Sequence, residues 1–123
     1  MTRSLDQICA EFAWQRLQPK ANGDYVNLAK SMPAMVMESG LMPALAFLEG
    51  KKDDHHKMLL RHILEWLKAQ RVLNTTDFRG AMNELLNKSS LEYQRAVEEA
   101  MRVLKWIRHF GDALKSQGGS DAK

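Results

Sequence analysis

Asp53, Asp54, His55, His56 and His62 bring the metal-ligating side-chain types of this chain closest together, and His55 and His62 fall two helical turns apart. Imidazoles at that spacing share one helix face and could hold a metal ion with a nearby carboxylate. The acidic pair has a simpler cause, because carboxylates in a first turn complement the positive end of the helix macrodipole. The segment KKDDHHK at 51–57 therefore reads as a solvated helix start, and neither a metal nor any other cofactor is expected. Glu98 and Glu99 are equally poor as an acid/base pair, since adjacent helical residues point about 100° apart. Cys9 is the single cysteine, which excludes an internal disulfide and a paired-thiolate zinc site. The sequence has no glycine-rich phosphate loop, no G-x-S-x-G and no H-E-x-x-H. No catalysis is expected, and a small metal-dependent hydrolase built on His55 to His62 is kept only as a minor alternative.

The side chains with a clearer chemical use are cations. On the helix expected over Ser89 to Ser116, Tyr93, Val97, Ala100, Leu104, Ile107, Gly111 and Leu114 fall on one apolar face. Arg95, Arg102 and His109 align on the other side with Lys105 beside them, and Trp106 lies near that basic stripe. An indole there serves either as the edge of the core or as a partner contact. A second basic row, Lys57, Arg61 and Lys68, belongs to an earlier helix, where an Arg61–Glu65 pair at i,i+4 would cancel part of it. Arg16 lies within an apolar stripe, from which an arginine can extend its guanidinium to phosphate. Lys20 and Lys30 flank the next turn.

These groups need a scaffold, and the patterning supplies an all-helical one. The chain has 123 residues, enough for one domain with one core. Its 18 Lys and Arg against 15 Asp and Glu give a formal charge of +3, compatible with nucleic acid without requiring it. Nothing at the start resembles a secretion signal, and a single thiol suits a reducing compartment, so a cytoplasmic location is expected. The most hydrophobic stretch, Ser31 to Leu48, contains Glu38, Gly40 and two prolines and does not suit a bilayer.

Periodicity and capping residues predict six helices. The first runs from about Ser4 to Pro19, with a Ser4/Gln7 capping box and a stripe of Leu5, Ile8, Cys9, Phe12 and Ala13. The second runs from near Asp24 to Ser39, with a kink or restart near Ser31 because Pro33 cannot donate a backbone hydrogen bond. Gly40 is expected as a left-handed C-cap, and Pro43 in the first turn of a short third helix ending at Gly50. The fourth spans about Asp54 to Gln70; the fifth starts from a Thr76 cap and ends near Asn87. Ser89 with Glu92 opens the long sixth helix by a capping box. The expected organisation is one compact all-α bundle over residues 1–117 and a glycine-rich disordered tail over 118–123. The Met-rich Ser31 to Leu48 segment needs cover on several sides, from the bundle or from another subunit, with Met37 and Met42 as contact candidates.

Four stretches together carry a family resemblance: Y-x-x-L-A-x-x-x-P-A-M at Tyr25 to Met35, G-L-x-x-x-L-A-F-L at Gly40 to Leu48, Trp66-Leu67, and S-x-E-Y-x-R-A-x-x-E-A-x-x-x-L-x-W-I-R-x-F from Ser90 to Phe110. The chain thereby resembles the small-subunit family of Cmr (type III-B) CRISPR ribonucleoprotein complexes. Departures from the family pattern are Val97 for threonine, Ile107 for leucine, His109 for a second basic residue and Gly111 for alanine. The resemblance implies a small helical protein without nuclease activity that stacks in several copies beside a backbone subunit, next to guide RNA and target RNA.

That role needs cations more than base-reading groups, because guide and target pair with each other while protein supplies backbone contacts. The expected phosphate contacts are Arg16, Lys20, Lys30, Arg95, Arg102 and Arg108, with Arg102 and Arg108 foremost; Met37, Met42 and Trp106 are the expected subunit contacts. Three or four such contacts to a single strand give a log–log salt slope of about −2 to −3. The rival reading is a helical protein–protein adaptor that touches no nucleic acid.

Overall fold

The computed structural model describes residues 2–18 and 22–119, and among these it contains six helices and no strand. They are α1 (Leu5–Leu17), α2 (Gly23–Ser39), α3 (Leu41–Gly50), α4 (Asp54–Ala69), α5 (Phe78–Leu86) and α6 (Ser90–Gly119). The two expected capping boxes are present. Ser4 Oγ accepts from the Gln7 N–H while Gln7 Oε1 accepts from the Ser4 N–H, and Ser89 and Glu92 do the same ahead of α6. Asn22 caps α2 by accepting from the Asp24 and Tyr25 N–H groups.

Four local expectations change. α2 continues through Pro33 without a restart, because the fixed φ of proline is itself helical and only one hydrogen bond is lost. Gly40 has φ +101° and ψ 163°, a glycine-only conformation outside the left-handed helical region, and joins α2 directly to α3. The cap of α5 is Asp77, whose Oδ2 accepts from the Gly80 N–H, and not Thr76. α6 reaches Gly119, two residues into the stretch assigned to the tail; residues 120–123, Lys20 and Pro19 lie outside the described residues.

α4 ends at Ala69, one residue before the expected Gln70, and no glycine marks its closure. Arg71 sits at φ +60°, its N–H bonds the Lys68 carbonyl and the Val72 N–H bonds the Leu67 carbonyl. This is a Schellman closure made with arginine where glycine is the low-energy choice.

α6 is the axis of the bundle and packs against α1, α2 and α4; α2 and α3 both pack on α4. α1 runs parallel to α6, with Asp6 beside Trp106 and Trp14 beside Phe110, whereas α2 runs antiparallel, with Asn27 beside Lys115 and Lys30 beside Asp112. Cys9, Ala13, Met32, Leu48, Leu59, Trp66, Leu67, Ala96, Ala100, Leu104 and Ile107 are among the residues closing the core. Ile8, expected in the α1 stripe, is exposed, and Leu17 takes a core position in its place.

α2 and α6 approach most closely at Gly111, where an added Cβ would stand 2.8 Å from Cγ2 and 3.0 Å from Cγ1 of buried Val26. The β-branched Val26 cannot turn away cheaply. Gly111→Ala should therefore cost about 1 kcal/mol net, an overpacking penalty of about 1–3 offset by about 1 of helix propensity. Urea midpoints measure it, with the same change becoming stabilising in a Val26→Ala background; a raised midpoint in the native background would exclude the clash.

Candidate nucleic-acid interface

The long capped helix α6 places its early carboxylates, Glu92, Glu98 and Glu99, ahead of Arg102, Lys105 and Arg108. That order follows the helix dipole and also sets the cations on the C-terminal half, between α1 and α2. Lys105, Arg108 and His109 face solvent there, and Arg102 is half-buried. Arg108 has no ion pair among the described residues. Lys30 joins this face from α2 through its pair with Asp112 at 3.3 Å, with both side chains substantially exposed. An exposed pair of this kind is worth at most about 1 kcal/mol and yields readily to a phosphate.

Lys20 lies outside the described residues, and the remaining expected phosphate contacts, Arg16, Arg95 and Arg102, are engaged within the protein. Arg16 does not present an unoccupied guanidinium: its Nε donates to Glu65 Oε1 at 2.9 Å and its Cζ lies 3.9 Å from the Phe12 ring centroid. Glu65 is thereby taken by α1, so the expected Arg61–Glu65 pair is replaced and Arg61 stays exposed. Arg95 is exposed and donates from Nη2 to the Gln70 carbonyl at 3.0 Å, tying α6 to the end of α4. Arg102 is clamped between two carboxylates, Glu99 Oε1 at 3.4 Å from Nε and Asp6 Oδ1 at 3.5 Å from Nη1.

The partners of two of these acids, Glu99 and Asp6, are not legible in the sequence. Glu99, only 4% exposed, accepts the Trp66 indole N–H at 3.0 Å as well as facing Arg102. Asp6 accepts the Trp106 indole N–H at 3.0 Å and has Lys105 Nζ at 3.5 Å. The Trp106 bond above all, and the Lys105 and Arg102 charges with it, hold the Asp6 carboxyl below its usual range. In sequence both acids have ordinary explanations, Asp6 as a first-turn carboxylate and Glu99 as a member of a charged run.

Of the expected subunit contacts, Met37 is 72% exposed, while Met42 and Trp106 are half-buried against the core. Trp106 stacks near Phe110, which packs edge-on with exposed Trp14.

The histidines separate. His62 is buried and hydrogen-bonded through Nδ1 to Tyr25 Oη at 2.7 Å, which removes it from any cluster with His55. Asp53, His55 and His56 come together instead at the start of α4. Burial lowers His62 to about 4 and keeps it neutral, and burial likewise raises the Tyr25 hydroxyl. An unfolded histidine takes up a proton near 6.5, so stability is complete above that value and falls as pH drops toward 4. The loss should reach about 2 kcal/mol by pH 5. Chemical denaturation from pH 7.5 to 5 measures it; a profile unchanged by His62→Gln would assign the acid loss elsewhere. Cys9 is buried, and burial pushes its thiol up to about 12, which removes it as a nucleophile at neutral pH. The depression of about 580 Å³ beside α5, lined by Glu49, Asp77, Phe78, Arg79, Met82 and Asn83, is open and lies apart from the basic face.

Residues 5–114 match the family described as CRISPR-associated protein (Cas_Cmr5). The chain is similar to the CRISPR system Cmr subunit Cmr5 of Thermus thermophilus, with 27% identity over 116 residues, 91% of this chain and 96% of that protein. The crystal structure of a CRISPR-associated Cmr5 family protein from the same organism aligns with a TM-score of 0.77 at 25% identity, covering 92% of this chain and 98% of that one.

Proposed function

The chain belongs to the Cmr5 family of CRISPR-associated proteins, and from that premise we propose that it is a non-catalytic small subunit of a cytoplasmic type III-B Cmr ribonucleoprotein, stacking in several copies beside the backbone subunit. Its contribution to RNA is electrostatic. The observation that carries this reading is the solvent face of α6, where Arg108 has no ion pair among the described residues and Lys105, Arg102 and the Lys30–Asp112 pair adjoin it. A single strand held through its phosphates needs such a row on a rigid support, while guide and target read each other by base pairing. One subunit holds RNA weakly at physiological salt, and adjacent copies hold it well through effective concentration.

The adaptor reading has one observation in its favour: Met37, Leu86 and Leu91 are large apolar side chains at least two-thirds exposed. Under the RNA reading they serve as contacts to neighbouring subunits. No helix among the described residues is long and apolar enough to cross a membrane. Reversal of charge at Lys105 and Arg108 separates the two readings, since capture of target RNA by the assembled particle falls only if α6 faces RNA; unchanged capture with an intact fold leaves the adaptor.

A further inference from the structure

Three donors on α6 converge on a single oxygen. Trp106 Nε1 stands 3.0 Å, Lys105 Nζ 3.5 Å and Arg102 Nη1 3.5 Å from Asp6 Oδ1, which the first turn of α1 delivers. Residues 102, 105 and 106 are three and four apart, so the helix holds their side chains on one patch. Arg102 is further fixed from the core side by the buried Glu99. This donor set is assembled before any ligand arrives, and its geometry suits a singly charged oxyanion: two cations and one neutral N–H around one acceptor. A phosphodiester carries the same single charge as the Asp6 carboxylate. Asp6 is itself 44% exposed and can turn into water.

We propose that Arg102, Lys105 and the Trp106 indole form a phosphodiester-binding site for single-stranded RNA, and that Asp6 occupies it as an internal stand-in that the RNA displaces. This rests on the RNA-holding function proposed above and deepens it: Trp106 becomes a phosphate donor in place of a subunit contact, and α1 becomes a latch over the site. The acids facing the site are Asp6 and Glu99; Glu99 is turned to Trp66 and Arg102 from beneath and stays in place when Asp6 leaves.

Asp6→Asn tests the latch, because the amide oxygen still accepts the Trp106 indole N–H while the competing charge is gone. The full chain is titrated with an oligouridylate at low salt and followed by proton–nitrogen NMR, which reads weak binding directly. Asp6→Asn should tighten binding about tenfold, the scale of one removed opposing charge within 4 Å, and the Trp106 indole resonance should move as RNA is added. Glu38→Gln makes the same net-charge change far from the site and should alter affinity by less than about twofold. Asp6→Ala provides a second uncharged variant should the amide disturb the fold. If Arg108→Glu weakens binding while Asp6→Asn does not tighten it and the Trp106 indole stays still, the latch is wrong and the RNA face stands. If neither the native chain nor Asp6→Asn binds the oligouridylate, both proposals fall together.

Discussion

Glu99→Ala is expected to lower the free energy of unfolding by about 3 kcal/mol or more. Glu99 is the buried carboxylate at which α4 and α6 meet, accepting from Trp66 Nε1 at 3.0 Å and standing 3.4 Å from Arg102 Nε. Truncation leaves the indole N–H of a side chain only 1% exposed without its partner and takes the neighbouring charge from Arg102 Nε, a buried nitrogen that has no hydrogen bond even with Glu99 in place. A buried donor left unsatisfied costs about 1–3 kcal/mol, and losing one partner of a buried ion pair about 3–5. The lower part of that span applies, because the Arg102 side chain is 31% exposed and can regain some water. Glu99→Gln keeps an acceptor for Trp66 and should cost about half as much. Urea unfolding at pH 7 measures both, and a loss below about 1 kcal/mol for the alanine variant would show that water replaces the carboxylate.

The second large effect concerns RNA. Lys105→Glu with Arg108→Glu should reduce capture of target RNA by the assembled particle at least tenfold at about 0.15 M salt. Each lost single-strand phosphate contact removes about 0.7 from the log–log salt slope, so two per subunit flatten it by about 1.4, and the loss repeats in every stacked copy. Both side chains are exposed, so stability should change by no more than about 0.5–1 kcal/mol. This pair is a cleaner probe than Arg102, whose reversal would set a third carboxylate against Glu99 and Asp6 and damage the fold with the surface. Retention of RNA by a folded double variant, at an unchanged salt slope, would end the electrostatic proposal.

The contrast between Arg102 and Arg108 shows where sequence reading reaches its limit. Both fall on the side of α6 away from the apolar arc, and both appear as cations available to phosphate. In the fold, the parallel packing of α1 brings Asp6, separated by 96 positions from Arg102, onto the same patch. Arg16 repeats the lesson, since Glu65, assigned by helical spacing to Arg61, belongs to Arg16 across the α1–α4 contact. His62 leaves its neighbours for Tyr25 in the same way.

The sequence alone determined what depends on a few adjacent residues: six helices, the capping boxes at Ser4 and Ser89, the entry of α3 at Pro43 and the buried stripe of Leu104 and Ile107. Caps, proline geometry and apolar periodicity act within a turn or two of chain, so their signals survive without tertiary context. It also carried the family, through motifs spread along nearly the whole chain. Only the tertiary structure decided which cations have acidic partners and which face water. Electrostatic pairing depends on distance in space, and helices remote in the chain bring together charges whose order along it records nothing of that meeting.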